Sequence, residues 1–171
     1  GDVYKRQASD KWIFSTLSEG DRIALRGPFG GFHLVREQAE PAILIGGGTG
    51  LAPLKSIVRH ALEHNLVPEL HLYHGGRRRE DLYDVEFFTE LADEFAEFHY
   101  HPALSEETWD GAMGMVTDVV IDDFRSCKGM SAYLCGPPPM IAAAVKSLKR
   151  RRMAPRLIFR EEFTPINQGS A

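Results

Sequence analysis

From residue 42 onward, short apolar runs alternate with stretches whose apolar residues recur every three or four positions. Residues 42–45 are a continuous apolar run closed by glycines, the pattern of a buried strand. Leu51, Leu54, Val58, Ala61 and Leu62 then repeat at helical spacing, with Pro53 tolerated in the first turn. Residues 70–74 predict a second strand, and Val85, Phe88, Leu91, Ala92 and Phe95 a second amphipathic helix. A third strand over 98–103, a short helix over 116–123 and a fourth strand over 131–135, ending at Gly136, come next. A helix over 140–150 has prolines at its N-terminal turn, where a missing N–H costs nothing, and residues 157–159 read as a last short strand. This alternation predicts an α/β fold: a three-layer parallel sheet with helices on both faces.

The N-terminal part has another pattern. The turn Glu19-Gly20-Asp21, the alternation over 22–26 and then Gly27-Pro28-Phe29-Gly30-Gly31-Phe32 predict the end of an antiparallel β unit. Asp2–Gln7, DVYKRQ, is what the end of a sequencing transposon adapter encodes, so residues 1–7 are set apart from the fold. The expected division is adapter sequence at 1–7, a β-barrel remnant at 8–36, the α/β domain at 37–164 and a small polar tail at 165–171.

Composition narrows the function. A chain of 171 residues, 43% hydrophobic and 26% charged, suits one globular α/β domain with a real core. A net charge of -4 argues against nucleic acid as a partner. No apolar run approaches the ~20 residues a bilayer crossing needs, so no membrane is expected, and the expected compartment is cytoplasmic. Two cysteines, Cys127 and Cys135, are too few for a disulfide framework, a four-cysteine zinc site or an iron–sulfur cluster.

Gly46-Gly47-Gly48-Thr49-Gly50 lies between a predicted strand and a predicted helix. There, backbone N–H groups can face a phosphate that side chains would otherwise block. No Gly-Lys-Ser/Thr follows, which excludes a P-loop. The usual dinucleotide fingerprint fails as well, since Leu51 stands at the third glycine and the second strand ends His74-Gly75-Gly76 without the ribose-binding acid. A packing turn is the competing reading. Tyr133-Leu134-Cys135-Gly136-Pro137-Pro138-Pro139-Met140 sets a thiol at the carboxyl end of a strand, where open parallel sheets bind ligands and where a following helix N-terminus would lower the thiol pKa. A buried structural thiol is the competing reading of Cys135.

The motifs GPFG, GGGTGLAP, LCGPPPM and FREEF, in this order, resemble the ferredoxin–NADP reductase superfamily. They are most similar to NADH-dependent reductase components of bacterial oxygenases, such as phenol hydroxylase reductase, and to glucoseen reductases. The resemblance covers roughly residues 10–163. It implies that Gly46, Gly47, Gly48, Thr49 and Gly50, with Pro53, Gly75, Pro137 and Met140, take part in binding the dinucleotide, Thr49 beside its nicotinamide half. It implies Cys135 and Gly136 against the nicotinamide ring, Glu161 and Phe163 near nicotinamide and flavin, and Phe29 in the stretch joining the flavin barrel to this domain. It further implies an FAD held mostly by an upstream barrel, and electrons passed to a [2Fe–2S] ferredoxin domain or an oxygenase component.

In NADPH-using relatives the loop after the third strand carries Ser-Arg for the 2′-phosphate. Here Ser105 is followed by Glu106, which repels a phosphate, so NADH is expected rather than NADPH. Arg77, Arg78 and Arg79 pull the other way. An NADPH-linked reductase of the same superfamily and a non-catalytic dinucleotide-binding module remain the rival readings. His60 and His64 at i, i+4, and a set from His71, His74, His99 and His101, are noted without a metal being assigned.

Overall fold

The computed structural model describes residues 15–24, 26–27, 29–35 and 39–162. A compact unit spans Phe32–Phe163, and a second comprises Gly1–Gly31 with Thr164–Ala171. The adapter reading at 1–7, Pro28, Phe163 and the tail lie outside the described residues.

In the larger unit six strands form one sheet: β1 Ala42–Gly47, β2 Leu70–Gly76, β3 Phe98–Leu104, β4 Ala112–Met113, β5 Ser131–Gly136 and β6 Ile158–Glu162. Their spatial order is β4-β3-β2-β1-β5-β6, and every pairing is parallel. Four helices connect them: α1 Leu51–Glu63, α2 Val85–Glu94, α3 Val116–Asp123 and α4 Pro138–Arg150. The parallel α/β fold with helices on both faces is the one the periodicity predicts.

Strands run past the apolar runs that predict them. Parallel ladder bonds need only backbone, so Gly46 pairs with His74 and Gly47 with Gly75 although neither glycine contributes a side chain. β6 comes one residue later than predicted and takes in Arg160–Glu162, because Pro155–Leu157 form a 3₁₀ turn and an edge strand tolerates charge. α4 starts at Pro138, two residues early, since prolines fit its first turn. The expected end of an antiparallel β unit over 22–26 includes Leu25, which lies outside the described residues. No described residue from 15 to 35 pairs into a sheet, because an alternating segment makes ladder bonds only where a partner strand lies alongside. What the sequence there does form is a turn in which the Ser18 N–H donates to Asp21 Oδ2 at 2.8 Å.

Each face of the sheet carries its own core. On one, Leu51, Leu54 and Val58 of α1 and Phe88 of α2 pack on Leu44, Leu72 and Tyr133. On the other, Val116 and Val120 of α3 and Ile141 and Leu148 of α4 pack on Ile45, Tyr73 and Leu134. Cys127, which sits in a polar stretch of sequence, is buried in this second core, its N–H donating to the Arg151 carbonyl at 2.7 Å. Among the described residues no helix is long and apolar enough to cross a membrane.

His74 is fully buried near the end of β2, its Nδ1 2.9 Å from the Tyr100 hydroxyl, while Nε2 has no hydrogen-bond partner among the described groups. Burial holds its pKa down to about 4, with the Asp84 charge opposing only in part. The unfolded chain therefore binds a proton at His74 between its ordinary value near 6.5 and pH 4, where the folded chain does not. Stability falls as pH drops through that window. Urea unfolding at pH 7 and pH 5 is expected to show His74→Leu losing about 2 kcal/mol less over the interval than the parent chain. Equal losses would contradict a neutral buried His74.

Candidate functional site

The chain builds β1 first, adds β2, β3 and β4 on one side, then crosses to β5 and β6 on the other. The strand order therefore reverses between β1 and β5, and a crevice opens at their carboxyl ends. Gly46 of β1 is in register with Cys135 of β5, which brings the two glycine-containing turns side by side.

The β1 turn has no room for side chains. A Cβ at position 50 would run into the carbonyl of Cys135 and stand 2.7 Å from the Gly136 nitrogen. Gly48 has φ +55, which lets the loop reverse before α1 begins at Leu51. Gly48–Gly50 form a 3₁₀ turn that runs directly into α1, the Leu51 N–H donating back to the Gly48 and Thr49 carbonyls, and no side-chain cap or first-turn acid offsets the positive end of the helix dipole. Thr49 is exposed at the head of the loop, and Pro53 lies half-buried in the first turn of α1.

Two contacts hold this turn in place. The Tyr83 hydroxyl donates to the Gly48 carbonyl at 2.7 Å, and the Tyr83 ring meets His74 edge-on at 5.7 Å. The Met140 side chain of α4 lies across both turns: its Sδ would be 3.2 Å from a Cβ at position 47, and its Cε 2.7 Å from one at position 136. Gly75, next to last in β2, lies against Val116, whose Cβ would be 3.0 Å from a Cβ there. Tyr83 and His74 were not singled out for the site, since a lone tyrosine in a charged loop and a strand histidine carry no motif.

Cys135 differs from the expectation that the α4 N-terminus activates it. Its thiol is fully buried, and burial first, then the charge of Glu161, pushes its pKa up to about 12. Desolvation outweighs the helix dipole because Pro137, Pro138 and Pro139 supply no N–H at that helix end. Cys135 is a neutral thiol. Glu161 of β6 is in register with it and exposed, while Pro137 is exposed at the start of α4.

Beyond β2 and β3 the backbones continue side by side, Glu106 N–H donating to the Arg77 carbonyl at 2.9 Å and Ser105 N–H to the Gly76 carbonyl at 3.0 Å. Here the arginines meet carboxylates. Arg77 lies 3.9 Å from Glu106, and Arg79 lies 3.4 Å from Glu107 and 3.3 Å from Asp110. Asp81 accepts the N–H groups of Arg77 and Arg78 at 3.0 Å each, and these bonds hold its carboxyl below its ordinary range. The expected site residues from Gly46 to Glu161 thus line one edge of one sheet. Phe29 belongs to the smaller unit, where it is 76% exposed with the Arg26 guanidinium 6.0 Å from its ring centre.

A helix start without a side-chain cap or acid, a turn closed to side chains and charged loops at one end make an edge of the kind that binds phosphate-bearing ligands. Comparison with known proteins agrees with this geometry. Residues 44–146 match the oxidoreductase NAD-binding domain family. The chain is 49% identical over 165 residues to an aromatic O-demethylase reductase subunit of Amycolatopsis sp., covering 94% of this chain and 49% of that protein. It is 38% identical over 168 residues to the phenol 2-monooxygenase reductase component DmpP of Pseudomonas sp., covering 95% and 48% respectively. The crystal structure of the Amycolatopsis cytochrome P450 reductase GcoB superposes with a TM-score of 0.82 at 48% identity, over 93% of this chain and 49% of that one. A Neisseria gonorrhoeae ferredoxin NADP+ reductase, at 17% identity and TM-score 0.63 over 73% of this chain and 56% of that one, shares the fold. The chain spans about half the length of the curated relatives it matches. With the match running from β1 into α4, across both turns of the crevice, the chain belongs to the oxidoreductase NAD-binding domain family, in its ferredoxin-reductase-like branch.

Proposed function

We propose that this chain is the nucleotide-binding half of a flavin-dependent NADH reductase. It would work with an FAD held by an upstream barrel and pass electrons to an iron–sulfur centre or an oxygenase-type acceptor. The observation that carries the reading is the meeting of the Gly46–Gly50 turn and the Cys135-Gly136 turn at the point where strand order reverses. That its relatives include reductase components of oxygenase systems supports the acceptor class.

The dinucleotide, when bound, supplies the hydride; the chain's task is to hold a flat ring in place and keep water away. In this reading Gly46, Gly47, Gly48 and Gly50 let backbone approach the pyrophosphate, with Thr49 and the positive dipole end of α1, near Pro53, completing the cradle. Tyr83 fixes the Gly48 carbonyl so that the loop does not have to order itself on binding. Cys135 and Gly136 form the wall for the nicotinamide, with Pro137 and Met140 closing one side and Gly75 the other. A neutral, buried thiol suits that role, because hydride transfer asks for close approach and no strong acid or base. Glu161 and, two residues on, Phe163 would face the flavin, and Phe29 would belong to the link with the barrel.

The preference for NADH rests on charge. Arg77 faces Glu106, and Arg79 faces Glu107 and Asp110, while Asp81 takes the backbone N–H groups of Arg77 and Arg78, so the loops that would meet a 2′-phosphate already pair two of their three arginines with carboxylates. A phosphate dianion there gains little and is repelled by Glu106. Glu106 and Ser105 are left to accept or donate hydrogen bonds with ribose hydroxyls.

Two measurements test this. With the chain joined to the flavin barrel of a close relative, anaerobic stopped-flow is expected to show flavin bleaching faster with NADH than with NADPH. Glu106→Arg is expected to raise the NADPH rate by roughly tenfold or more, corresponding to about 1.4 kcal/mol of relieved repulsion. Faster bleaching by NADPH in the unaltered protein would refute the charge argument, and no bleaching with flavin bound would reduce the chain to a binding module. Separately, Gly50→Ala is expected to cost about 1–3 kcal/mol of stability through overpacking against the Cys135 carbonyl. The same change should weaken NADH binding measured by calorimetry, and unchanged affinity in a folded variant would detach the turn from the ligand.

A further inference from the structure

We propose that Glu69, His71 and His99 form a binding site for a borderline divalent cation of the zinc type, at the sheet edge opposite the dinucleotide crevice. One ligand atom from each of the three lies within 4.8 Å of the other two. The site follows from register: His71 of β2 and His99 of β3 are direct cross-strand partners, so their imidazoles leave the sheet on the same face. Their rings lie 4.7 Å apart at 27°. Glu69, just before β2, turns its carboxylate to both: Oε1 is 2.9 Å from His99 Nε2 and 3.5 Å from His71 Nε2. Tetrahedral coordination at about 2.0–2.1 Å per ligand sets ligand atoms about 3.4 Å apart. The distances of 2.9 and 3.5 Å from Glu69 bracket that spacing, and His99, with 37% of its side chain exposed, has room to adjust.

The shell around the cluster is built as metal-bound histidines require. His71 is the most enclosed of the three, with 12% of its side chain exposed. Its other nitrogen, Nδ1, lies 3.4 Å from His101 Nε2, and a proton on Nδ1 donated to His101 leaves His71 Nε2 as the metal-facing lone pair. His101 is held in turn: its ring stacks on Tyr73 at 4.4 Å and 9°, and Nδ1 lies 3.9 Å from Asp123, which also accepts the Tyr73 hydroxyl at 2.7 Å. Phe124 closes edge-on over His71 at 5.0 Å. Two imidazoles and a carboxylate select zinc or a neighbouring transition ion over calcium or magnesium, which take oxygen ligands. The open side of Glu69 and His99 leaves the remaining position to water. Bound there, the ion clips the amino ends of β2 and β3 together, remote from hydride chemistry and independent of the function proposed above.

The test uses the 171-residue chain freed of any affinity tag, stripped with chelator and titrated with Zn2+ alone in a calorimeter. One ion per chain is expected at micromolar affinity, with a raised melting temperature. His99→Gln and Glu69→Gln, both at partly exposed positions, should each weaken binding at least tenfold, and His101→Phe about tenfold through the lost second contact. The exposed pair His60 and His64, with rings 4.5 Å apart at the C-terminal end of α1, is the internal control: His60→Ala with His64→Ala should leave the titration unchanged. Cobalt(II) in place of zinc should give visible absorption that disappears in His99→Gln. No saturable uptake, uptake that survives both His99→Gln and Glu69→Gln, or uptake lost with His60 and His64 would each overturn the proposal. The surviving account would then be a metal-free cluster in which His99 donates to Glu69.

Discussion

The backbone of the Gly46–Gly50 turn lies against the Cys135 carbonyl so closely that no side chain fits at position 50. This contact joins the two halves of the sheet at its switch point. It depends on β1 and β5 being neighbours in register, which needs the long return from β4 through α3. The first turn of α1, which follows directly, has neither a side-chain cap nor an acid to offset the positive end of its dipole. Tyr83 and Met140 then work on geometry that already exists, one fixing the Gly48 carbonyl and the other bridging both turns.

The same edge carries closely paired charges. Three consecutive arginines look like a phosphate trap until their neighbours are placed. The parallel run of backbone beyond β2 and β3 brings Glu106 and Glu107 opposite Arg77 and Arg79, at distances of 3.9 and 3.4 Å. These are exposed pairs, each worth little to stability. In the NADH reading proposed above they matter because matched cations attract an added dianion weakly.

Much of this was legible in the sequence. Apolar runs at 42–45, 70–74 and 131–135 locate buried parallel strands because both faces of such strands need apolar side chains. The glycine turn was legible because only glycine meets its steric demand. The limits have physical reasons too. Strand ends ran into glycines that pair without contributing hydrophobicity, so apolar runs alone stopped short of Gly47 and Gly76. The Cys135 motif shows a helix following the thiol but not the burial that raises its pKa. Nothing local marks Tyr83, whose hydroxyl reaches a carbonyl 35 positions away in the chain. The proximity of Glu69 to His71 and His99 likewise arises from register between strands that are far apart in sequence.

The central claim is that the pyrophosphate of a nicotinamide dinucleotide rests on the turn between β1 and α1, with Cys135-Gly136 beside it. Hydrogen–deuterium exchange of this chain with and without saturating NADH tests it most directly. The account predicts slowed exchange in peptides covering residues 46–54 and 135–141, with residues 69–72 and 98–101 at the opposite edge unchanged. Protection confined to other segments, or none at ligand concentrations that calorimetry shows to be saturating, would contradict it.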